Sequence, residues 1–188
     1  MGPQELLYLF SKRLNKFNVH FLLTGGFAAA FYGFPRSTHD IDFILEVSKT
    51  SLDSLRRALT NLGKDFIFNP QQMDTIRSST LVTAYHIPST MKIDFWIIET
   101  SNFAHQWSRR KEKKILGQTI SLISAEDLIL TKLAWCKEVF SERHFRDCIG
   151  IWHVQKERLD TAYLREQAKT FGITNFLDKV RSSKGIDY

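Results

Sequence analysis

The chain has 188 residues, 43% of them hydrophobic and 13% aromatic, with a formal net charge of +6. That length and apolar content support one sizeable core with room for a smaller lobe and exclude a disordered chain. The longest apolar runs, "VHFLL" and "IDFWII", are too short to span a bilayer.

The opening stretch places Leu6, Leu7, Phe10, Leu14 and Phe17 at helical spacing, so an amphipathic helix is expected over residues 3–17. It has no small-residue cleavage site behind a long apolar core, and it is read as a helix rather than a signal peptide. "VHFLLT" (19–24) reads as a buried strand, broken by Gly25 and Gly26, after which "FAAAFYGF" begins a short helix that ends before Pro35. "DIDFILEV" (40–47) is the next strand. "SLDSLRRALTNLG" reads as a helix with Ser51 at its N-cap and Gly63 as its stop. "FIF" (66–68) is a short strand, and "TLVTAYHI" and "MKIDFWII" form a hairpin across "PST".

Residues 102–114, ending in "RRKEKK", are expected as one polar helix, with "QTISLI" a further strand. Beyond it the chain turns helical. Ser124 and Asp127 open "SAEDLILTKLAWCKEVF" as a capping box, and "SERHFRDCIGIWHVQKERL", "DTAYLREQAKTFG" and a short helix with a frayed tail follow. Trp135 and Trp152 read as core. The pattern implies a mixed α/β lobe over residues 1–122 and a helical lobe over 123–188.

Charge is uneven between the halves. Residues 1–102 hold 10 Lys/Arg against 9 Asp/Glu, and residues 103–188 hold 16 against 11, so +5 of the +6 lies in the second half. A basic half suits a polyanionic partner, although a solvated surface needs none. The "RRKEKK" run reads better as a solvated helix end than as an RNA contact. Cys136 and Cys148 form no CxxC pair, and a reduced cytoplasmic setting is expected.

Two acids stand out. Asp40 and Asp42 lie one residue apart on a strand otherwise built from Ile, Phe and Leu, so both project to one side, roughly 6.6–6.8 Å apart along the strand. At about 5 Å their mutual repulsion at an effective dielectric of 20 is roughly 3 kcal/mol. A divalent cation between them reverses that sign, and Mg²⁺ suits carboxylates together with phosphate oxygens. His39 points to the other side and is expected to be packed. Asp94, among Ile93, Phe95 and Trp96, is a third acid in a like setting, enough for two ions if its strand neighbours that of Asp40 and Asp42. Thr24, Gly25 and Gly26, between a strand and a helix N-terminus, offer a phosphate seat; Arg36 and Thr38 immediately precede the acids, and Arg36 is expected to pair with phosphate oxygens. Lys132 is a lone cation on a largely apolar helix. No GxxxxGK[ST] and no GxGxxG follows the first strand, and the histidines lack zinc spacing.

The series Gly-Gly, then R-x-T-x-D-I-D, resembles the minimal nucleotidyltransferases of the DNA polymerase β superfamily. "SLISAEDLILTKLAW" followed by "RHFRDCIGI" resembles the AbiEii/AbiGii toxin-type branch, so that the likeness spans roughly residues 20–152. The resemblance implies an α/β (α+β) fold of the polymerase-β type: a mixed sheet flanked by helices, with a C-terminal helical lobe. It implies a Mg²⁺-dependent transfer of a nucleoside monophosphate from an NTP to an acceptor hydroxyl. In that reading Asp40, Asp42 and Asp94 hold the metal, and Gly25 and Gly26 seat the phosphates. Lys132 reaches nucleotide or substrate, and Asp147 matches the aspartate of the second helix. It also implies a toxin with an antitoxin partner, tRNA as an acceptor, and no membrane. A second acid that the pattern often carries three residues after that aspartate is Gly150 here. Two alternatives are a transferase acting on a protein or small molecule, and a catalytically silent nucleotide- or RNA-binding module.

Overall fold

A computed structural model describes residues 1–184 except 47, 75, 77–79 and 116. It divides into two compact units: residues 1–26 with 37–123, and residues 27–36 with 124–188. This differs from the division expected from the sequence, because residues 27–36 group with the C-terminal helices rather than with the α/β lobe.

The first unit is built on a seven-stranded mixed sheet. In chain order its strands are β1 (Leu22–Thr24), β2 (Asp40–Glu46), β3 (Phe66–Ile67), β4 (Thr80–His86), β5 (Met91–Ile98), β6 (Lys111–Ile115) and β7 (Gln118–Leu122). They lie in the order β3-β4-β5-β2-β1-β7-β6. β2 runs parallel to β5 and antiparallel to β1, and β1 runs parallel to β7. Along β2 and β5 the odd positions Ile41, Phe43, Leu45, Ile93, Phe95 and Ile97 are fully buried. Strand alternation therefore sends the even positions, including Asp40, Asp42 and Asp94, to the opposite face.

Helix α1 (Pro3–Lys16) covers the apolar face. Pro3 sits at its first position, and the Glu5 carboxylate accepts the Gly2 amide at 2.8 Å. Its Phe10 ring meets Phe66 at 5.8 Å and Phe95 at 6.0 Å, while Phe43 stacks on Phe95 at 5.7 Å. Each such buried ring is worth roughly 1.5–3 kcal/mol. Arg13 of α1 donates to the carbonyls of Ala58 and Thr60, closing the end of helix α3 (Lys49–Leu59). The N-cap of α3 is Ser48, whose Oγ accepts the Ser51 amide, so the helix starts earlier than the expected Ser51 cap.

The expected helix over 102–114 is two elements. Helix α4 (Thr100–Ser108) stops before Arg109, and "KEKKI" is strand β6, paired antiparallel with β7. Gly117, at φ +78, supplies the turn that joins them. The charges of Lys111, Glu112, Lys113 and Lys114 are exposed on this edge strand, where they oppose unwanted strand pairing.

The second unit is helical. It holds most of α2 (Gly25–Tyr32), then α5 (Ala125–Glu138), α6 (Glu142–Gln155), α7 (Thr161–Thr170) and α8 (Thr174–Ser182). Ser124 caps α5 as expected: its Oγ accepts the Asp127 amide at 3.0 Å. The expected helix over 141–159 ends at Gln155, with a 3₁₀ turn after it. Gly33 and Gly150 let the end of α2 lie close on α6. A Cβ at Gly33 would meet the Ile151 nitrogen at 2.9 Å, and one at Gly150 would meet the Phe34 ring at 3.0 Å. Trp135, expected in the core, is 50% exposed, outside the buried stripe of α5, and His39, expected to be packed, is exposed in the segment before β2. The frayed tail expected at the C-terminus lies, over 185–188, outside the described residues. Among the described residues no helix is long and apolar enough to cross a membrane.

Candidate active site

In the first unit, register brings the acids into line. Asp42 pairs with Asp94 across the parallel strands β2 and β5, and Asp42 also pairs with Thr24 across β1. Each carboxylate is steadied by a side chain nearby. Asp40 Oδ1 accepts from the Thr38 hydroxyl at 2.8 Å, and Asp42 Oδ1 accepts from the Trp96 indole at 3.2 Å. Asp94, 5% exposed, accepts from the Thr83 hydroxyl at 2.7 Å, and Lys92 Nζ stands 3.9 Å from its other oxygen. The glycine turn is pressed against this row. Gly25 has φ +64, and a Cβ there would lie 1.8 Å from Asp42 Oδ2. Only a residue without a side chain fits both the backbone angle and the contact.

The backbone thus aligns the three carboxylates on one face. Their side chains are not closed into a cage: among the described residues no three His, Cys, Asp or Glu side chains form a metal-holding cluster. The donor set still fits Mg²⁺ in chemistry. It offers hard carboxylate oxygens on adjoining strands, and Mg²⁺ takes one or two of these and fills its octahedron with water or phosphate oxygens.

The second unit holds a different arrangement. Arg36 grips Asp147 with two bonds, Nε at 2.7 Å and Nη2 at 2.8 Å. Lys132 Nζ approaches the same carboxylate at 2.9 Å, with the lysine 5% and the aspartate 9% exposed. Burial pushes the Asp147 carboxyl up, but the bonds from Arg36 and the charge of Lys132 outweigh it and hold it below the usual carboxylate range. A cleft of about 310 Å³ opens beside this triad. Arg36, Arg143, Arg146, Glu142 and Asp147 give it its charge, and Ala29, Phe34 and Gly150 its apolar wall.

A family model described as nucleotidyl transferase AbiEii toxin, type IV TA system, matches residues 8–175. The chain belongs to the AbiEii nucleotidyltransferase family. It is, accordingly, a nucleotidyltransferase. No curated protein matches it. Among solved structures it is similar to ANT(2")-Ia in complex with adenylyl-2"-tobramycin, at 14% identity and a TM-score of 0.62, covering 89% of this chain and 95% of that one. It is similar to the lincosamide antibiotic adenylyltransferase LnuA, lincomycin-bound, at 15% identity and a TM-score of 0.56, covering 82% and 98%. It is also similar to an antigenic nucleotidyltransferase-like protein from Paracoccidioides brasiliensis, at 15% identity and a TM-score of 0.57, covering 97% and 94%. At these identities the likeness establishes the fold, and the polymerase-β-type mixed sheet expected from the sequence is the one observed.

In this AbiEii-family enzyme the motif acids of α5 have structural duties. Glu126 Oε1 accepts the Asp160 amide at 2.9 Å, and Asp127 accepts from the hydroxyls of Ser124 and Tyr163. Burial, then the charges of Glu126 and Asp127, push the Tyr32 phenol up, so it stays neutral. Lys132 and Arg36, read as ligand contacts, both meet Asp147 here. Sequence reasoning missed Thr83 and Trp96. Trp96 was legible as the residue two beyond Asp94 on the same face, and Thr83 only through the hairpin register that sets it opposite Asp94.

Proposed function

We propose that the protein transfers a nucleoside monophosphate from an NTP to a hydroxyl of an acceptor RNA, with tRNA as the acceptor, and that it acts as a toxin restrained by an antitoxin. The single observation that carries the chemistry is the alignment of Asp42 with Asp94 across β2 and β5, with the Gly25 turn pressed against Asp42. The acceptor oxygen forms a bond to the α-phosphorus, the bond from that phosphorus to the bridging oxygen breaks, and pyrophosphate leaves. Asp40, Asp42 and Asp94 hold Mg²⁺, which when bound stabilises charge on the attacking and leaving oxygens. Thr38, Trp96 and Thr83 orient the three carboxylates through the hydrogen bonds described above. Asp94 stands on the acceptor side and takes the hydroxyl proton. Thr24, Gly25 and Gly26 seat the triphosphate, the glycines allowing the backbone close approach. Arg36 and Thr38 lie beside the seat in sequence. Lys132 contacts nucleotide or substrate by sharing itself between the ligand and Asp147.

An RNA acceptor is supported by the charge of the second half and by the three arginines around the cleft. The likeness to two antibiotic-modifying adenylyltransferases supports a small-molecule acceptor as the second reading. Incubation with Mg²⁺, each α-labelled NTP and total RNA or total protein separates them. Label in tRNA is expected; label in protein or in an added aminoglycoside or lincosamide replaces the RNA reading. Asp42→Asn abolishes the label, and full retention removes the metal assignment.

A further inference from the structure

The cleft of the second unit has features that the ion triad leaves unexplained. Arg143, Arg146, Asp147 and Gly150 fall at i, i+3, i+4 and i+7, so helix α6 presents them on one face. Three arginines line the cleft against two carboxylates, and Lys132 behind Asp147 adds a fourth cation. Asp147 is already bound by Arg36 and Lys132. Arg143 lies in the first turn of α6, where the positive end of the helix dipole disfavours cations. The position of Arg143 is not explained by helix stability, and among the described residues Arg143 has no hydrogen bond or ion pair.

A neighbouring group is both buried and close to these cations. His144 is held below its usual range first by burial and then by Lys132, with Asp147 opposing and Arg143 and Arg36 adding to the effect. Its Nδ1 is buried and has no hydrogen-bond partner. The floor of the cleft is kept open by Gly150, where a Cβ would meet the Phe34 ring.

We propose that this cleft is a phosphate-binding site in which Arg143 and Arg146, beside Arg36, hold a phosphate ester by charge-assisted bonds. Binding itself does not depend on the transferase reading; whether the phosphate belongs to the nucleotide or to the acceptor rests on that reading. Arg143 and Arg146 fall outside the residues assigned above to metal, nucleotide seat and reaction, so the site adds a second anion contact on the helical unit.

Calorimetry with inorganic pyrophosphate, in EDTA so that no metal contributes, tests the binding. Wild-type protein is expected to bind, and Arg143→Ala/Arg146→Ala to bind at least tenfold more weakly. Arg143→Lys/Arg146→Lys is expected to recover part of the affinity, and unchanged melting of each variant shows that it folds. Equal binding by wild type and the double alanine variant, or no binding by wild type, overturns the site. Steady-state transfer then assigns the source. A raised KM for NTP marks the nucleotide's phosphate, and a raised KM for acceptor RNA marks the acceptor's. If both KM values and kcat are unchanged in the double alanine variant, the site has no part in transfer. Absence of any transfer by wild type would remove the proposed function and leave the pyrophosphate result standing.

Discussion

Asp94 and Asp147 are two buried carboxylates in one chain, 5% and 9% exposed, with opposite surroundings. Asp94 has a neutral hydroxyl at 2.7 Å and a half-exposed lysine at 3.9 Å. Asp147 has a bidentate guanidinium and a buried ammonium, all within 2.9 Å. A buried charge costs several kcal/mol unless it is paired. Asp147 meets that cost within its own unit, whereas Asp94 has only the Thr83 hydroxyl and the more distant Lys92. On the proposed reading the sheet carboxylate is the one that takes a cation, while the helical carboxylate is held by its own ion pairs.

Neutralising each acid in turn separates these roles. Asp94→Asn keeps the bond to Thr83 but removes the charge, and transfer is expected to fall by about 10³-fold, equivalent to roughly 4 kcal/mol of barrier. Melting of that variant is expected to be unchanged or higher, and a calorimetric scan beside a labelled-NTP assay reads both. Asp147→Asn strands Arg36 and Lys132 and should destabilise the protein by about 3–5 kcal/mol in urea titration. A smaller loss would mean that the triad is already well solvated. Addition of Mg²⁺ at a hundred times its dissociation constant should stabilise wild type by about 2.7 kcal/mol. Asp147 variants should keep that increment, and Asp94→Asn should lose most of it.

Gly25→Ala is expected to cost about 1–3 kcal/mol from its left-handed backbone alone, before the overlap with Asp42 is counted. The smallest effect concerns pH. His144 is depressed in the folded protein, so below about 6.5 the unfolded chain takes up its proton first and stability falls with falling pH. His144→Gln should flatten that slope between pH 5 and 7, and an unchanged slope would assign it elsewhere.

Much of this contrast was legible in advance. Alternation along "DIDFIL" placed Asp40 and Asp42 on one face, because a strand has a period of two whatever surrounds it, and left Asp94 to join them only if its strand lay alongside. The capping box at Ser124 was legible for a like reason, since its bonds close within four residues. The "RRKEKK" segment was misread because its charges suit a helix end, and its strand exists only through the ladder to β7. Trp135 was misread because helical spacing does not reveal which stripe is buried.

Local sequence therefore determined most of the elements, the shared face of Asp40 and Asp42, and the glycine break after β1; each depends on bonds and angles within a few residues. Tertiary structure alone decided that Asp42 stands opposite Asp94 and that Gly25 presses on Asp42. It alone joined Arg36 to Asp147, 111 residues away in the chain. Such pairings are set by which surfaces pack together, and no local period encodes them.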